Sequence, residues 1–263
     1  MIITNDFIFI HFPKARGSFV KSILSHLYAI FFNNEYQEKN NLLKCFSSKP
    51  IFIKDKENLL LGEFLPVYKM HNDIVDIKKE YLNKPRFTVL RNGVDFYNSF
   101  FRSKVWINVR TSNNATIKIK YPLFPKLTFE EFIIFIHWFY VENLWKVLNI
   151  ENKKEFGLYT IMLVLQCSRN PIKMLEKMHT MDISNDSFAS DLKEDEMTFL
   201  DFKDLRKSLK TYFGQYHNLN KLSFIEEKPR LYVSESKKVN ISNKILKKIQ
   251  EIDYLRIGFY NSI

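Results

Sequence analysis

Cysteine is scarce: Cys45 and Cys167 are the two in 263 residues. They form no disulfide framework and no metal-ligand spacing, which excludes a disulfide-stapled scaffold and a cysteine zinc site. Both thiols are expected to pack as small apolar groups in a reducing compartment. Long apolar runs are missing too. The longest, Phe132 to Val141, contains His137. It falls well short of the roughly 20 apolar residues that a membrane span needs. The first apolar run has no basic leader and no small-residue cleavage site, so no signal peptide is expected. The chain reads as cytoplasmic, the alternative being a lumenal domain trimmed from a longer protein. Dense blocks of like charge are absent, which argues against a nucleic-acid tail. With no internal repeat and no low-complexity linker, residues 1–263 read as one domain.

What is present is a soluble, globular composition, 46% hydrophobic and 26% charged. Its 25 Phe fit a coding bias that also favours Ile, Lys and Asn. The net charge of +11 points to an anionic partner: a nucleotide, an acidic polysaccharide, nucleic acid or a membrane surface.

The pattern along the chain predicts α/β architecture. Phe7–Phe12 reads as a strand buried on both faces. Ser18 is then expected to cap a helix carrying Phe19, Ile23, Leu27 and Phe31. Residues 33–50 read as a polar loop. Phe64–Met70 and Phe87–Leu90 read as further strands, the latter followed by a helix from Val94. Alternation of this kind predicts a central parallel sheet flanked by helices. Residues 107–122 read as an insertion, with Thr116–Tyr121 strand-like. Thr128 and Glu131 form a capping box for a long helix with an aromatic stripe over 129–145. Helices follow near 156–166 and 170–180, with a surface loop at 183–196. Thr198–Phe202 reads as a strand, with a helix over 203–213. Residues 217–240 look irregular, and Ser242 caps a last helix.

The chemistry gathers at strand ends. In open parallel sheets ligands sit outside the carboxyl ends of the strands. Here those ends carry Pro13-Lys14, His71 and Arg91. A turn joining a buried strand to a helix N-terminus favours an anion through its amides and the helix dipole. Lys14 precedes Gly17, and no hydroxyl directly follows it. The magnesium ligand of a nucleoside-triphosphate loop is thus missing, which disfavours a metal-dependent kinase or ATPase. No metal ligands are expected. A metal-free transfer needs fixed cations, which Lys14 and Arg16 can supply.

The segment His11-Phe12-Pro13-Lys14-Ala15-Arg16-Gly17-Ser18 resembles the 5′-phosphosulfate loop of sulfotransferases that use 3′-phosphoadenosine 5′-phosphosulfate. Carbohydrate members often read Pro-Lys-Thr-Gly-Gly-Thr-Ser there. Arg91-Asn92-Gly93 through Ser99-Phe100-Phe101 resembles the 3′-phosphate segment of the same family, with Gly93 where proline is usual. Lys69-Met70-His71 is similar to the Lys-x-His ending of the family's second core strand. Leu231 to Lys237, and the helix ending at Asp253-Tyr254, look like the end of carbohydrate-type members. Ser234 stands where those members carry Asn.

The resemblance implies a P-loop NTPase-like sulfotransferase fold. It implies sulfuryl transfer from 3′-phosphoadenosine 5′-phosphosulfate to a hydroxyl of a carbohydrate or similar small acceptor, leaving 3′,5′-ADP. Lys14 would be catalytic and His71 the base, with Glu63 as its rival. Pro13, Lys14, Ala15, Arg16, Gly17 and Ser18 would hold the 5′ side of the donor. Arg91 and Ser99 would hold the 3′-phosphate, with further contacts from Ser236 and Lys237. Trp106 and Tyr121 are candidates for acceptor contact. His11 reads as structural, and His26, His137, His179 and His217 have no partner in view. Two other readings stay open: an inactive sulfotransferase-like anion-binding protein and a nucleotide kinase.

Overall fold

The computed structural model describes residues 2–28, 42–45, 52–53, 59–60, 81, 83–104, 106–107, 113–142, 145, 156–168, 170–180, 197–229, 239 and 241–253. Of the strands at 42–45, 52–53 and 59–60, only the backbone is described.

The chain opens with a tight hairpin. Strand β1 (Ile2–Thr4) turns back into β2 (Ile8–Phe9), pairing Ile2 with Phe9 and Ile3 with Ile8. The Thr4 hydroxyl holds the turn, donating to the Phe7 carbonyl at 2.8 Å and accepting from the Phe7 amide at 2.9 Å. Ladder bonds from the Ile8 and Ile10 amides to Pro85 and Phe87 extend β2 beyond its two paired residues. Beside it runs β6 (Arg86–Leu90), parallel to β2 and to β7 (Met197–Asp201). On the other side β1 pairs antiparallel with β3 (Leu42–Cys45). The sheet order is β3-β1-β2-β6-β7, and β4 (Phe52–Ile53) and β5 (Leu59–Leu60) form a separate hairpin.

The protein is therefore α/β, as expected, but the sheet is mixed and not wholly parallel. The stretch 33–50, expected to be a loop, contains β3. The run Phe7–Phe12 holds the buried strand β2, as expected, but as the second arm of a hairpin. A two-residue turn at Asn5-Asp6 can return a strand antiparallel, whereas parallel pairing needs a crossover. Every residue of β6 is buried, as for a strand covered on both faces.

Helix α1 (Gly17–Leu27) follows β2, and α2 (Gly93–Ser103) follows β6. The insertion forms a helix, α3 (Ala115–Lys120), where alternation had suggested a strand. The Asn114 side chain accepts from the Ile117 amide at 3.1 Å, and this cap outweighs a two-residue period spread over only six residues. Helix α4 (Phe129–Ile136) starts at the capping box of Thr128 and Glu131 and widens into π-helical turns over His137–Glu142. Then come α5 (Leu158–Cys167), α6 (Pro171–Thr180) and α7 (Leu205–Phe213). Residues 217–240 are less irregular than expected, with a 3-10 turn at Leu219–Leu222 and α8 (Phe224–Glu227). Ser242 caps α9 (Asn243–Ile252), accepting from the Ile245 amide at 3.4 Å.

Aromatic rings tie these layers together. Phe7 meets Phe87, Tyr212 and Phe213, so the hairpin, β6 and α7 share one cluster. Phe12 meets Phe96 of α2 and Tyr159 of α5, both at ring distances near van der Waals contact. Trp106 is buried among Phe101, Phe124, Phe132 and Phe135, and its indole N–H donates to the Phe101 carbonyl at 3.0 Å. It belongs to the core, not to an acceptor surface.

A buried carboxylate joins three helices. The N-cap of α5 is Gly157, which has no side chain to cap with. Asp253, at the end of α9, takes that place. Its carboxylate accepts from the Thr160 amide at 2.9 Å and the Thr160 hydroxyl at 2.7 Å. A Cβ on Gly157 would collide with that carboxylate. Tyr97 of α2 hydrogen-bonds Asp253 as well, and its hydroxyl accepts from the Tyr159 amide. Burial, and then the Asp253 charge, push the Tyr97 phenol well above its ordinary value.

Candidate functional site

The three parallel strands end on the same side. After β2 comes the turn Phe12-Pro13-Lys14-Ala15, after β6 comes Arg91, and after β7 comes Phe202. The Phe202 amide donates to the Leu90 carbonyl at 3.0 Å, which carries the β6–β7 register one step further. Arg91 and Phe202 are thereby neighbours.

The turn itself is strained. Lys14 has φ 60° and Arg16 φ 56°, left-handed values for residues that carry a Cβ. Each costs about 1–2 kcal/mol relative to an ordinary conformation. Pro13 with a positive φ one residue later is the type II turn pattern, which usually places glycine where Lys14 stands. The Ala15 amide reaches the Phe12 carbonyl at 3.4 Å. Pro13 and Ala15 are buried, so only their backbone is available to a ligand.

Helix α1 is not capped by Ser18, as its sequence had suggested. Arg16 is the N-cap, without a side-chain hydrogen bond, and Ser18 is exposed. The left-handed Arg16 turns the chain into the helix two residues before the serine could. The first amides of a helix have no partner within it, which leaves those of Gly17 and Ser18 at the mouth of the turn. Gly17 is required by contact: a Cβ there would fall inside the His11 imidazole. His11 also stacks on Phe9, with centroids 5.9 Å apart. His11 thus packs against both the strand and the turn.

Three cations converge. Arg91 Nη1 donates to the Lys14 carbonyl at 2.9 Å, pinning the strained turn to the end of β6. The Arg91 guanidinium lies 4.5 Å from the centre of the Phe202 ring, and that of Arg16 lies 4.3 Å from it. One aromatic ring thus holds two guanidiniums. Stacking uses their faces and leaves the in-plane N–H groups to point elsewhere. Lys14, Arg16 and Arg91 are all half-buried. Burial, and then the Arg91 charge, hold the Lys14 ammonium below its ordinary 10.5. Positive charge gathered in this way favours an anion.

Asn92 caps α2, its side-chain oxygen accepting from the Val94 amide at 2.9 Å. Gly93 is then the first helical residue, a position that proline also suits. Ser99 is half-buried on the second turn of α2. Beside the start of α2 lies a cleft of about 250 Å³, lined by Asn92, Gly93, Val94 and Asp95 and, from α9, by Leu246, Ile249, Gln250 and Asp253.

His71, Glu63, Lys69, Ser234, Ser236 and Lys237 lie outside the described residues. Among the described residues no group of three metal-ligating side chains occurs, and no helix is long and apolar enough to cross a membrane. His26 stacks on Phe224 at 3.9 Å and His217 reaches the Tyr28 hydroxyl at 3.2 Å, so both have structural partners.

Two residues escaped the sequence reading. Phe202 looked like an ordinary strand end, and nothing local marked it as a platform for arginines. Asp253 was noted only for its place in the last helix. Its signal was a helix start at Gly157 with no side chain able to cap it. Comparisons with protein-family profiles, curated proteins and solved structures find no match to this chain.

Proposed function

We propose that this chain is a metal-independent sulfotransferase. In this reading it moves a sulfuryl group from 3′-phosphoadenosine 5′-phosphosulfate to a hydroxyl of a carbohydrate or similar small acceptor. The observation that carries the reading is the clustering of Lys14, Arg16 and Arg91 at the carboxyl ends of the parallel strands. These are two residues of the 5′-phosphosulfate-like segment and one of the 3′-phosphate-like segment, separate in sequence and adjacent in the fold. The P-loop NTPase-like architecture belongs to the same proposal, supported by the order strand, Lys14 turn, helix N-terminus. So does a cytoplasmic setting, which rests on the cysteine usage.

The donor supplies an activated sulfuryl group and a phosphate leaving group. The Gly17 and Ser18 amides with Arg16 suit its 5′ side, and Arg91 with Ser99 its 3′-phosphate. Lys14 stabilises the charge that develops on the bridging oxygen as the sulfur–oxygen bond breaks. His71 takes the proton of the attacking hydroxyl, a general-base task that an imidazole suits. Metal independence rests on the lack of a hydroxyl directly after Lys14.

Thermal unfolding with 3′,5′-ADP, against ATP plus magnesium, tests the reading. At a hundredfold excess over Kd the first should stabilise by about 2.7 kcal/mol. Arg91→Ala should weaken that binding roughly tenfold to a hundredfold. Lys14→Ala should abolish sulfuryl transfer while some nucleotide binding remains. Stabilisation by ATP with magnesium and none by 3′,5′-ADP would overturn the assignment.

A further inference from the structure

Between Asp95 and Glu130 the sequence contains no acidic residue and six basic ones: Arg102, Lys104, Arg110, Lys118, Lys120 and Lys126. Half of these lie on the excursion 113–126, which holds α3 and the turns after it. The excursion is firmly built. Ile117 is fully buried. Tyr121 packs on Phe135 and Trp138 at 5.4 and 5.6 Å, and Phe124 on Trp106 and Phe135 at 5.7 and 5.5 Å. The Asn114 cap starts α3, and the Tyr121 amide closes it on the Ile117 carbonyl at 2.7 Å.

What this scaffold presents is unusual. Ile119 is 81% exposed and Leu123 65%, the two most exposed large hydrophobic side chains among the described residues. They stand beside exposed Lys118, Lys120 and Lys126. Lys120 lays its ammonium 4.1 Å from the centre of the Trp138 ring. Among the described residues Lys118, Lys120 and Lys126 make no ion pair with a carboxylate. Glu131 is engaged by the Thr128 cap, whose backbone amide and hydroxyl donate to it at 2.7 and 2.8 Å. Glu142 acts on the half-buried Tyr121.

We propose that the 113–126 excursion docks on an anionic lipid surface, with Ile119 and Leu123 entering the interface and Lys118, Lys120 and Lys126 meeting the headgroups. The charge complementarity selects an anionic partner, and the apolar side chains select a bilayer over a soluble polyanion. Long lysine stems can lie along the apolar region while their ammonium groups stay at the headgroups. A lysine near an anionic leaflet contributes roughly a fivefold gain in affinity, and apolar insertion adds to it. This inference is independent of the nucleotide reading.

Co-sedimentation of the full chain with vesicles tests it. Phosphatidylcholine–phosphatidylserine vesicles should bind the protein at low salt, and phosphatidylcholine vesicles only weakly. Ile119→Asp/Leu123→Asp should reduce binding at least about tenfold, and so should Lys118→Glu/Lys126→Glu. Both pairs alter exposed side chains, and an unchanged melting temperature verifies that each variant is folded. The proposal is overturned by no binding to the mixed vesicles, or by binding that either pair leaves intact. It is equally overturned if heparin binds as tightly as the mixed vesicles and the Asp pair weakens neither, because the partner is then a soluble polyanion.

Discussion

Replacing Lys14 by glycine and by alanine separates the backbone of the turn from its charge. At φ 60° the lysine carries left-handed strain. Alanine removes the ammonium and keeps the strain; glycine removes both. Glycine also gains freedom in the unfolded chain, which offsets part of the relief. The net difference should leave Lys14→Gly more stable than Lys14→Ala by about 1 kcal/mol. For a chain of this length that is a rise in Tm of about 2 °C. Both variants should also lose the pH dependence that Lys14 confers. Its folded pKa lies below the unfolded value, so its contribution is present above the unfolded pKa near 10.5 and lost as pH falls through the depressed one. Below that depressed pKa the folded wild type thus holds a poorly solvated cation that either variant relieves. Chemical denaturation at neutral and alkaline pH measures both effects. The reasoning fails if Lys14→Gly is less stable than Lys14→Ala, because the turn would then not be strained at that residue. A turn held under strain around a half-buried cation is expected where binding, not stability, has set the sequence.

The Asp253 cap should be costly to lose. Asp253→Ala leaves the Thr160 amide and the Tyr97 hydroxyl without their acceptor and should destabilise by about 2–4 kcal/mol in urea titration. Phe202→Leu should loosen both guanidiniums and weaken 3′,5′-ADP binding about tenfold, with Phe202→Tyr restoring it, as read by calorimetry. Burial holds His217 below its ordinary 6.5, against the opposing pull of Asp6. Its contribution is present above the unfolded pKa and lost as pH falls through the folded one. His217→Gln should therefore flatten the stability profile on the acid side of neutrality, and an unchanged slope there would remove His217 as its source.

Local rules carried far. The capping box at Thr128 and Glu131, the Ser242 cap and the helix faces after Gly93 and near 171–180 follow from side chains within a turn of one another, so they could be read directly. The strand over Phe87–Leu90 could be read from its own residues, but the burial of Arg86 and Thr88 within β6 could not. Nor could the mixed sheet, because Ile2–Thr4 is only three residues long and the polar context of Leu42–Cys45 hid a strand. Alternation over 116–121 misled for a similar reason: six residues cannot tell a strand from a short helix anchored by one buried isoleucine and an Asn cap.

The sequence by itself determined the α/β class, the basic turn after a buried strand and the identity of the cations at strand ends, because strand, turn and helix signals act over a few residues. Tertiary structure alone decided that Arg91 holds the Lys14 carbonyl, that Arg16 and Arg91 share Phe202, and that Asp253 caps a helix begun by Gly157 far back in the chain. Those contacts join residues tens of positions apart. They depend on which strands lie side by side and where each one ends, and no local pattern encodes that.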